Sequence, residues 1–428
     1  MGLRGPGAQV KSTPSNGSGA GVTTAGGDEG AATGAAKGPA TGAGARREEG
    51  IGGLWEGRPT GAGLGSRAGR GPYRYSAVMS ANPVLVHAVR GGITESFHRG
   101  ALAIVDADGG VVTALGDIDR PIFGRSAVKV LQALPLVASG AAEAFGLTDE
   151  ELALACASHG GEPEHAATAA SMLAKAGLDA SVLECGAHWP YNEAATRALA
   201  REGAEPTALH NNCSGKHAGF VCFGCFRARA EGRDPRDFLR GYVTPDHAVM
   251  REVTAAVQAA TGWDLATTAR GTDGCSIPTH AIPLRHLAHA FARVATGQGL
   301  SPEHARAARR LRQAVAHAPH RVAGTGRFDS RVMAQLGERV FCKVGAEGVY
   351  CAALPERGLG VAIKMDDGNN ARAVEVVMAA VLEALLHLSD TERALLHEIS
   401  DHPLRNWRGL DVGALQADAG LRQAIVGG

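Results

Sequence analysis

The sequence is poor in lysine. Its 428 residues hold 36 Arg but only seven Lys, of which five, at 129, 175, 216, 343 and 364, lie beyond residue 78. Aromatic residues are scarce as well, at 4%. No apolar run approaches the ~20 residues of a membrane-spanning helix, so no membrane association is expected. The N-terminal MGLRGPGAQVKSTPSNGSG lacks the apolar region of a secretory signal, and a cytoplasmic location is the expectation. Residues 1–78 have no Cys and no His, with nine Lys/Arg, five Asp/Glu and 22 of the 59 glycines within the first 71 positions. Such a segment cannot bury enough apolar surface to offset the entropy of ordering it. It reads as a disordered Gly/Ala-rich extension, with Met79 as an alternative start and 79–428 as the folded domain. That domain carries 34 Lys/Arg against 38 Asp/Glu, a balance that argues against a nucleic-acid partner. Its eight Cys, without an export signal, read as thiols or metal ligands rather than a disulfide framework.

What is present begins with strand patterns. ALAIVDADG and VVTALGD meet at Asp108-Gly109-Gly110, a hairpin signal. A helical block follows, at Ser126–Ser139, Thr148–Cys156 with Thr148 and Glu151 as a capping box, Pro163–Ala176, Asn192–Glu202, Cys213–Ala230, Pro245–Ala260, Leu284–Ala295 and Pro302–Ala316. Strands return in RVFCKVG, GVYCAALP and LGVAIKM, and an apolar helix spans Arg372–Leu388. The expected fold class is α+β: an antiparallel sheet built from both chain ends, flanked by helices, with an inserted helical region. Strands and helices do not alternate, and no Gly-x-Gly-x-x-Gly opens a helix after a strand, so a doubly wound nucleotide fold is not expected.

Where any cation would serve, this composition supplies Arg. Lys differs because its amine can lose a proton and act as base or ligand. Lys129 follows Ser126 by three residues, which on a helix puts hydroxyl and amine on one face. The pair reads either as an activated nucleophile without histidine or as a surface helix with a serine near its start. Lys343, in FCKVGAEGVY, is either a neutral or paired lysine on a core strand or an edge-strand lysine facing water. Lys364 invites the solvent-facing reading, and Lys175 that of a charge at a helix C-terminus.

Cys213, Lys216 and His217 fall at i, i+3 and i+4 of a helix start, with Asn212 as the expected N-cap, so three donor side chains share one turn. Cys275, in GTDGCSIPTH, is a candidate partner, although spacing alone is no zinc signature. Cys222-Phe-Gly-Cys225 lies inside an apolar helix and reads as buried thiols. Ser158, just before His159-Gly160-Gly161, sits where a hydroxyl and close backbone approach serve a ligand, though a glycine helix end explains the same residues. The other histidines look scattered.

Taken in order, GRSAVK, CASHGGE, HNNCSGKHAGF, GTDGCSIPTHAIPL, KVGAEGVY and IKMDDGNNARA resemble the rhizobial-type, or class 3, bacterial L-asparaginases, from about Asn82 to Leu415. That family is similar to the serine β-lactamase and glutaminase fold, and the resemblance makes 79–428 an asparaginase catalytic domain. It implies hydrolysis of L-asparagine to aspartate and ammonia, with Ser126 attacking, Lys129 accepting its proton, and Ser158 with Lys343 as a second Ser/Lys tandem. It further implies a zinc ion on Cys213, Lys216 and Cys275, with Asp273 and His217 supporting the metal or touching substrate. Arg125 would face the substrate carboxylate, and the chain would form a homodimer whose ligand is a small molecule. Two rival readings are a penicillin-recognising serine hydrolase and a non-catalytic zinc- or amino-acid-binding protein of the same fold.

Overall fold

A computed structural model describes residues 81–427, so the expected extension 1–78 lies outside the described residues. The strands in chain order are β1 Val84–Arg90, β2 Ile93–Asp106, β3 Val111–Leu115, β4 Pro121–Phe123, β5 Arg270–Thr272, β6 Pro278–Pro283, β7 Phe341–Val344, β8 Val349–Leu354, β9 Leu359–Met365, β10 Asp401–Arg405 and β11 Asp411–Ala417. Eight of them form one sheet of order β10-β11-β1-β2-β9-β8-β7, with β3 pairing on β2. Neighbouring strands run antiparallel, so the expected sheet from both chain ends is present. The β2/β3 hairpin turns at the Asp108-Gly109-Gly110 signal, where Asp106 Oδ1 accepts the Gly110 N–H at 2.7 Å. β4, β6 and β5 make a second small sheet that short, Pro-containing runs did not announce.

Helix Leu284–Thr296 packs on β9, β2 and β8. A Cβ at Gly360 would stand 2.0 Å from the Ala288 carbonyl oxygen, so only glycine lets helix and sheet approach this closely. The inserted block centres on helix Lys129–Ala138, which packs against helices Pro302–His317, Ala248–Thr261 and Ser214–Ala230. The capping box forms as expected: Thr148 N–H donates to Glu151 Oε2 at 2.8 Å, and Thr148 caps helix Asp149–Ala155. Lys175 reaches the same carboxylate at 2.6 Å, so it pairs with Glu151 rather than only facing its own helix end.

Several boundaries differ from expectation. Ser126–Ser139 begins as a 3₁₀ turn, Arg125–Val128, before the α-helix starts at Lys129. The N-cap position of helix Ser214–Ala230 is Cys213, one residue after Asn212, and Asn211 Oδ1 accepts the Cys213 N–H at 2.8 Å. Pro245–Ala260 starts late, at Ala248, because the His247 side chain caps it by accepting the Val249 N–H. Arg372–Leu388 is a π turn, Asn370–Val374, followed by α-helix Glu375–Leu385. Among the described residues all eight Cys are free, and no helix is long and apolar enough to cross a membrane.

Candidate active site

Three segments bring the polar residues together: the Arg125–Lys129 turn, the Ala157–Gly161 loop and the start of helix Ser214–Ala230. The loop is fixed by its backbone, since Ser158 N–H donates to the Val322 carbonyl at 2.9 Å and His159 N–H to the Asn212 carbonyl at 3.2 Å. Ser158 and Lys129 are buried there, whereas Ser126 is half-buried. The Lys129 ammonium donates to the Ala157 carbonyl at 2.5 Å, Ser158 Oγ at 2.9 Å and Cys213 Sγ at 3.1 Å. Among the described residues, none of its hydrogen bonds goes to Ser126. Three residues of 3₁₀ turn do align the two side chains, but the long lysine chain reaches inward to buried acceptors that would otherwise be unsatisfied. The Lys129–Ser158 contact was invisible in sequence because 29 positions separate the residues.

Cys213 is the joint between two clusters. On one side it accepts from Lys129, and on the other it accepts a hydrogen bond from the Cys275 thiol. Lys216 Nζ lies 3.0 Å from Cys275 Sγ, so the three expected zinc donors converge. The Cys275 hydrogen bond holds Cys213 well below the ordinary thiol range, with Lys129 and Lys216 adding to it against burial. The same bond pushes Cys275 up, with burial helping. Burial opposes charge on Lys216, yet the Cys275 and Cys213 sulfurs outweigh it and leave its pKa above the ordinary lysine value. Burial lowers Lys129, and the Cys213 sulfur offsets part of that shift.

Arg125 and Asp273 pair at 2.8 Å across 148 positions of sequence. Burial works against the Asp273 charge, but Lys216 and Arg125 keep its carboxyl below the usual range. His217 is fully buried and neutral, because burial first and then Lys216 lower its pKa. Its Nδ1 lies 2.7 Å from the Tyr242 hydroxyl, whose oxygen also accepts the Glu184 N–H, while among the described residues Nε2 has no partner. That nitrogen is a buried polar atom open to a ligand, as donor or acceptor according to the ring's tautomer.

Lys343 is fully buried on β7, the edge strand of the large sheet, so the structure combines the two sequence alternatives: an edge position, but covered. Its ammonium donates to the Val344 carbonyl at 2.8 Å and not to Ser158. Burial pulls its pKa down to about 7, with Asp329 acting in the opposite sense. Lys364 corrects its solvent-facing reading: β9 is an interior strand, and the half-buried ammonium donates to the Glu347 and Met365 carbonyls. Cys222 and Cys225 are buried structural thiols that donate to the Met172 and Ala176 carbonyls.

The histidines are less scattered than the sequence suggests. His159, His165 and His320 stack in a row with ring centroids 4.8 and 5.4 Å apart, and His320 ends the row between Glu162 and Glu164. His159 donates from Nε2 to Ser214 Oγ at 2.9 Å, tying the row to the helix that carries Cys213 and Lys216. Residues this far apart in sequence gave no spacing to detect.

A match to the family of L-asparaginase II spans residues 86–417. The chain belongs to the L-asparaginase II family. It is therefore an asparaginase, acting on a small-molecule amide substrate. Among solved structures, a β-lactamase from Mycobacterium bovis is similar at 15% identity with a TM-score of 0.32, covering 64% of this chain and 89% of that one. No curated protein matches the sequence. Within this asparaginase, the buried Lys129 amine joins Ser158 and Cys213, and Ser126, three residues before Lys129, is half-buried.

Proposed function

We propose that this asparaginase hydrolyses the side-chain amide of L-asparagine through an acyl-enzyme that a Ser/Lys pair forms and resolves. The supporting observation is the buried Lys129 amine at hydrogen-bond distance from a serine hydroxyl. Ser126, the more accessible serine, attacks the amide carbon, and neutral Lys129 takes its proton through or beside Ser158. The C–N bond then breaks, and the Lys129 ammonium returns a proton to the departing nitrogen, which leaves as ammonia. Water cleaves the ester, giving aspartate, while Lys343, with its pKa near 7, exchanges protons with this centre. Arg125 and His217 Nε2 orient the polar end of the substrate, and Asp273 fixes Arg125.

A second reading makes Ser158 the nucleophile, favoured by its direct contact with Lys129. Ammonia release from Ser126→Ala and Ser158→Ala, measured side by side with L-asparagine, L-glutamine and nitrocefin, tests both. A loss of several orders of magnitude confined to Ser126→Ala upholds the first, and the reverse pattern upholds the second. Full activity in both variants overturns the serine mechanism, and nitrocefin turnover without ammonia points to a penicillin-recognising enzyme.

The donor set of Cys213, Lys216 and Cys275 fits zinc, since two sulfurs and an amine converge without a disulfide. Bound zinc would supply a Lewis-acidic centre for the polar end of the substrate. Lys216 must then lose its proton, so affinity falls as pH drops. A homodimer rests on the family resemblance, and light scattering of the purified chain tests it.

A further inference from the structure

Helix Pro302–His317 carries Arg306, Arg309, Arg310 and Arg312 into the lining of one cavity of about 260 Å³. Arg306 stands three and four residues from Arg309 and Arg310, and Arg309 stands three from Arg312. At those spacings like charges are neighbours on a helix and destabilise it. The opposite wall is the end of helix Leu284–Thr296, from Val294 to Gly297. Gly297, at φ 80°, stops that helix, and a Cβ there would stand 3.2 Å from the Ala305 Cβ, so the two helices close on each other beside the arginines. Among the described residues no carboxylate lines the cavity.

The four guanidinium groups are unequally committed. Arg310 pairs with Asp149 at 2.5 Å and Arg306 with Glu303 at 3.3 Å. Among the described residues neither Arg309 nor Arg312 makes an ion pair or a side-chain hydrogen bond. Arg309 is exposed, whereas Arg312 is half-buried and its Nε is wholly buried without an acceptor. Burial pulls the Arg312 pKa down, with Glu338 acting in the opposite sense and Arg309 adding to the fall. A guanidinium nevertheless stays charged in a protein. A buried N–H of a cation without an acceptor costs stability, and that cost is removed by a ligand that supplies one.

Size and charge select the ligand. Pockets for drug-sized molecules hold ~300–1,000 Å³, so this smaller cavity suits a compact anion. The arginine fork matches phosphate oxygens two at a time, in a way a point charge does not. Two uncommitted guanidinium groups, with two paired ones beside them, fit several phosphate oxygens held close together. The end of helix Leu284–Thr296 adds a partial negative charge to its wall, which the formal positive charges outweigh. A nucleic-acid strand is a poorer fit, because the folded domain carries 34 Lys/Arg against 38 Asp/Glu.

We propose that the cavity between helices Pro302–His317 and Leu284–Thr296 binds a small diphosphate-bearing anion, held chiefly by Arg309 and Arg312. The anion relieves the repulsion along the arginine stripe and ties the two helices together. Helix Pro302–His317 also packs on helix Lys129–Ala138, so the bound anion stiffens the support of Lys129 without touching substrate. The inference does not depend on which serine attacks the amide.

The test uses the full chain and its Arg309→Gln, Arg312→Gln and Arg240→Gln variants, the last removing an exposed arginine outside the cavity. Binding of pyrophosphate, ADP and single-stranded DNA is measured by calorimetry at one ionic strength, with zinc content followed because pyrophosphate also chelates that metal. Wild type is expected to bind about one pyrophosphate per chain and to gain in Tm with it. Arg309→Gln and Arg312→Gln are each expected to weaken binding about tenfold or more, as loss of a charge-assisted hydrogen bond does, and Arg240→Gln to leave it unchanged. If Arg312→Gln fails to fold by circular dichroism, Arg309→Gln, at an exposed position, decides alone. ADP binding as tight as that of pyrophosphate upholds the site for a nucleotide, and much weaker ADP binding upholds it for the free anion. No pyrophosphate binding, affinity equal to wild type in the cavity variants, or equal weakening by Arg240→Gln overturns the assignment. DNA binding tighter than that of either diphosphate, and lost in the cavity variants, overturns it too.

Discussion

Lys129 and Lys216 on the helical side of the site and Lys343 on the sheet side are all buried, yet their environments set them apart. The helical pair faces the sulfurs of Cys213 and Cys275, which favour the charged amine and hold Lys216 above the ordinary lysine value. Among the described residues Lys343 donates to a backbone carbonyl and to no sulfur, and burial brings it down to about 7. A buried amine keeps its charge where anionic neighbours outweigh burial, and gives up its proton more readily where burial outweighs them, as it does at Lys343 against Asp329. Of the three, Lys216 is the amine whose charge its neighbours hold, while burial lowers Lys129 and Lys343 alike.

The strongest way to break this division is Lys129→Met, which is expected to lower kcat by about 10³-fold or more with the fold intact by circular dichroism. A larger loss in Lys343→Met would reverse the assignment of the main proton acceptor. For Lys343→Met itself the expected loss is about 10²-fold, together with disappearance of the rise in rate through about pH 7. A pH–rate profile that keeps this limb would remove Lys343 from the proton path.

On the helical side, Cys213→Ser is expected to lower zinc content at least tenfold from about one per chain, by elemental analysis. Unchanged metal content would exclude Cys213 as a ligand. Stability sharpens the contrast further. Burial depresses Lys343 in the folded state only, so between about 7 and the ordinary lysine value the unfolded chain binds more protons. Stability from this group therefore rises with pH across that window, and the Tm of Lys343→Met should lack the increment. Smallest is a change remote from both sides: Thr148→Ala removes a helix cap and should cost about 1 kcal/mol in urea unfolding without altering activity.

Much of the frame was legible because it is local. The Thr148–Glu151 capping box, the Asp108-Gly109-Gly110 turn and the three short apolar strands β7, β8 and β9 each declare themselves within a few residues. The small β4-β6-β5 sheet and the late starts at Lys129 and Ala248 were not legible, since short or Pro-containing runs carry little periodicity. Within the site, residue types pointed to Lys129, Lys216 and Lys343 one by one. The pairing of Lys129 with Ser158 rather than Ser126 had no sequence signal, and neither had the row of His159, His165 and His320.

The sequence by itself determined the α+β class, the helical insertion and the set of residues able to do the chemistry, because periodicity, caps and side-chain type act over a few positions. Only the tertiary structure decided which amine meets which sulfur, which lysine loses its partners, and that Arg125 pairs with Asp273. Those outcomes depend on burial and on contacts between distant segments, and burial is what turns an ordinary lysine into a base or a fixed charge.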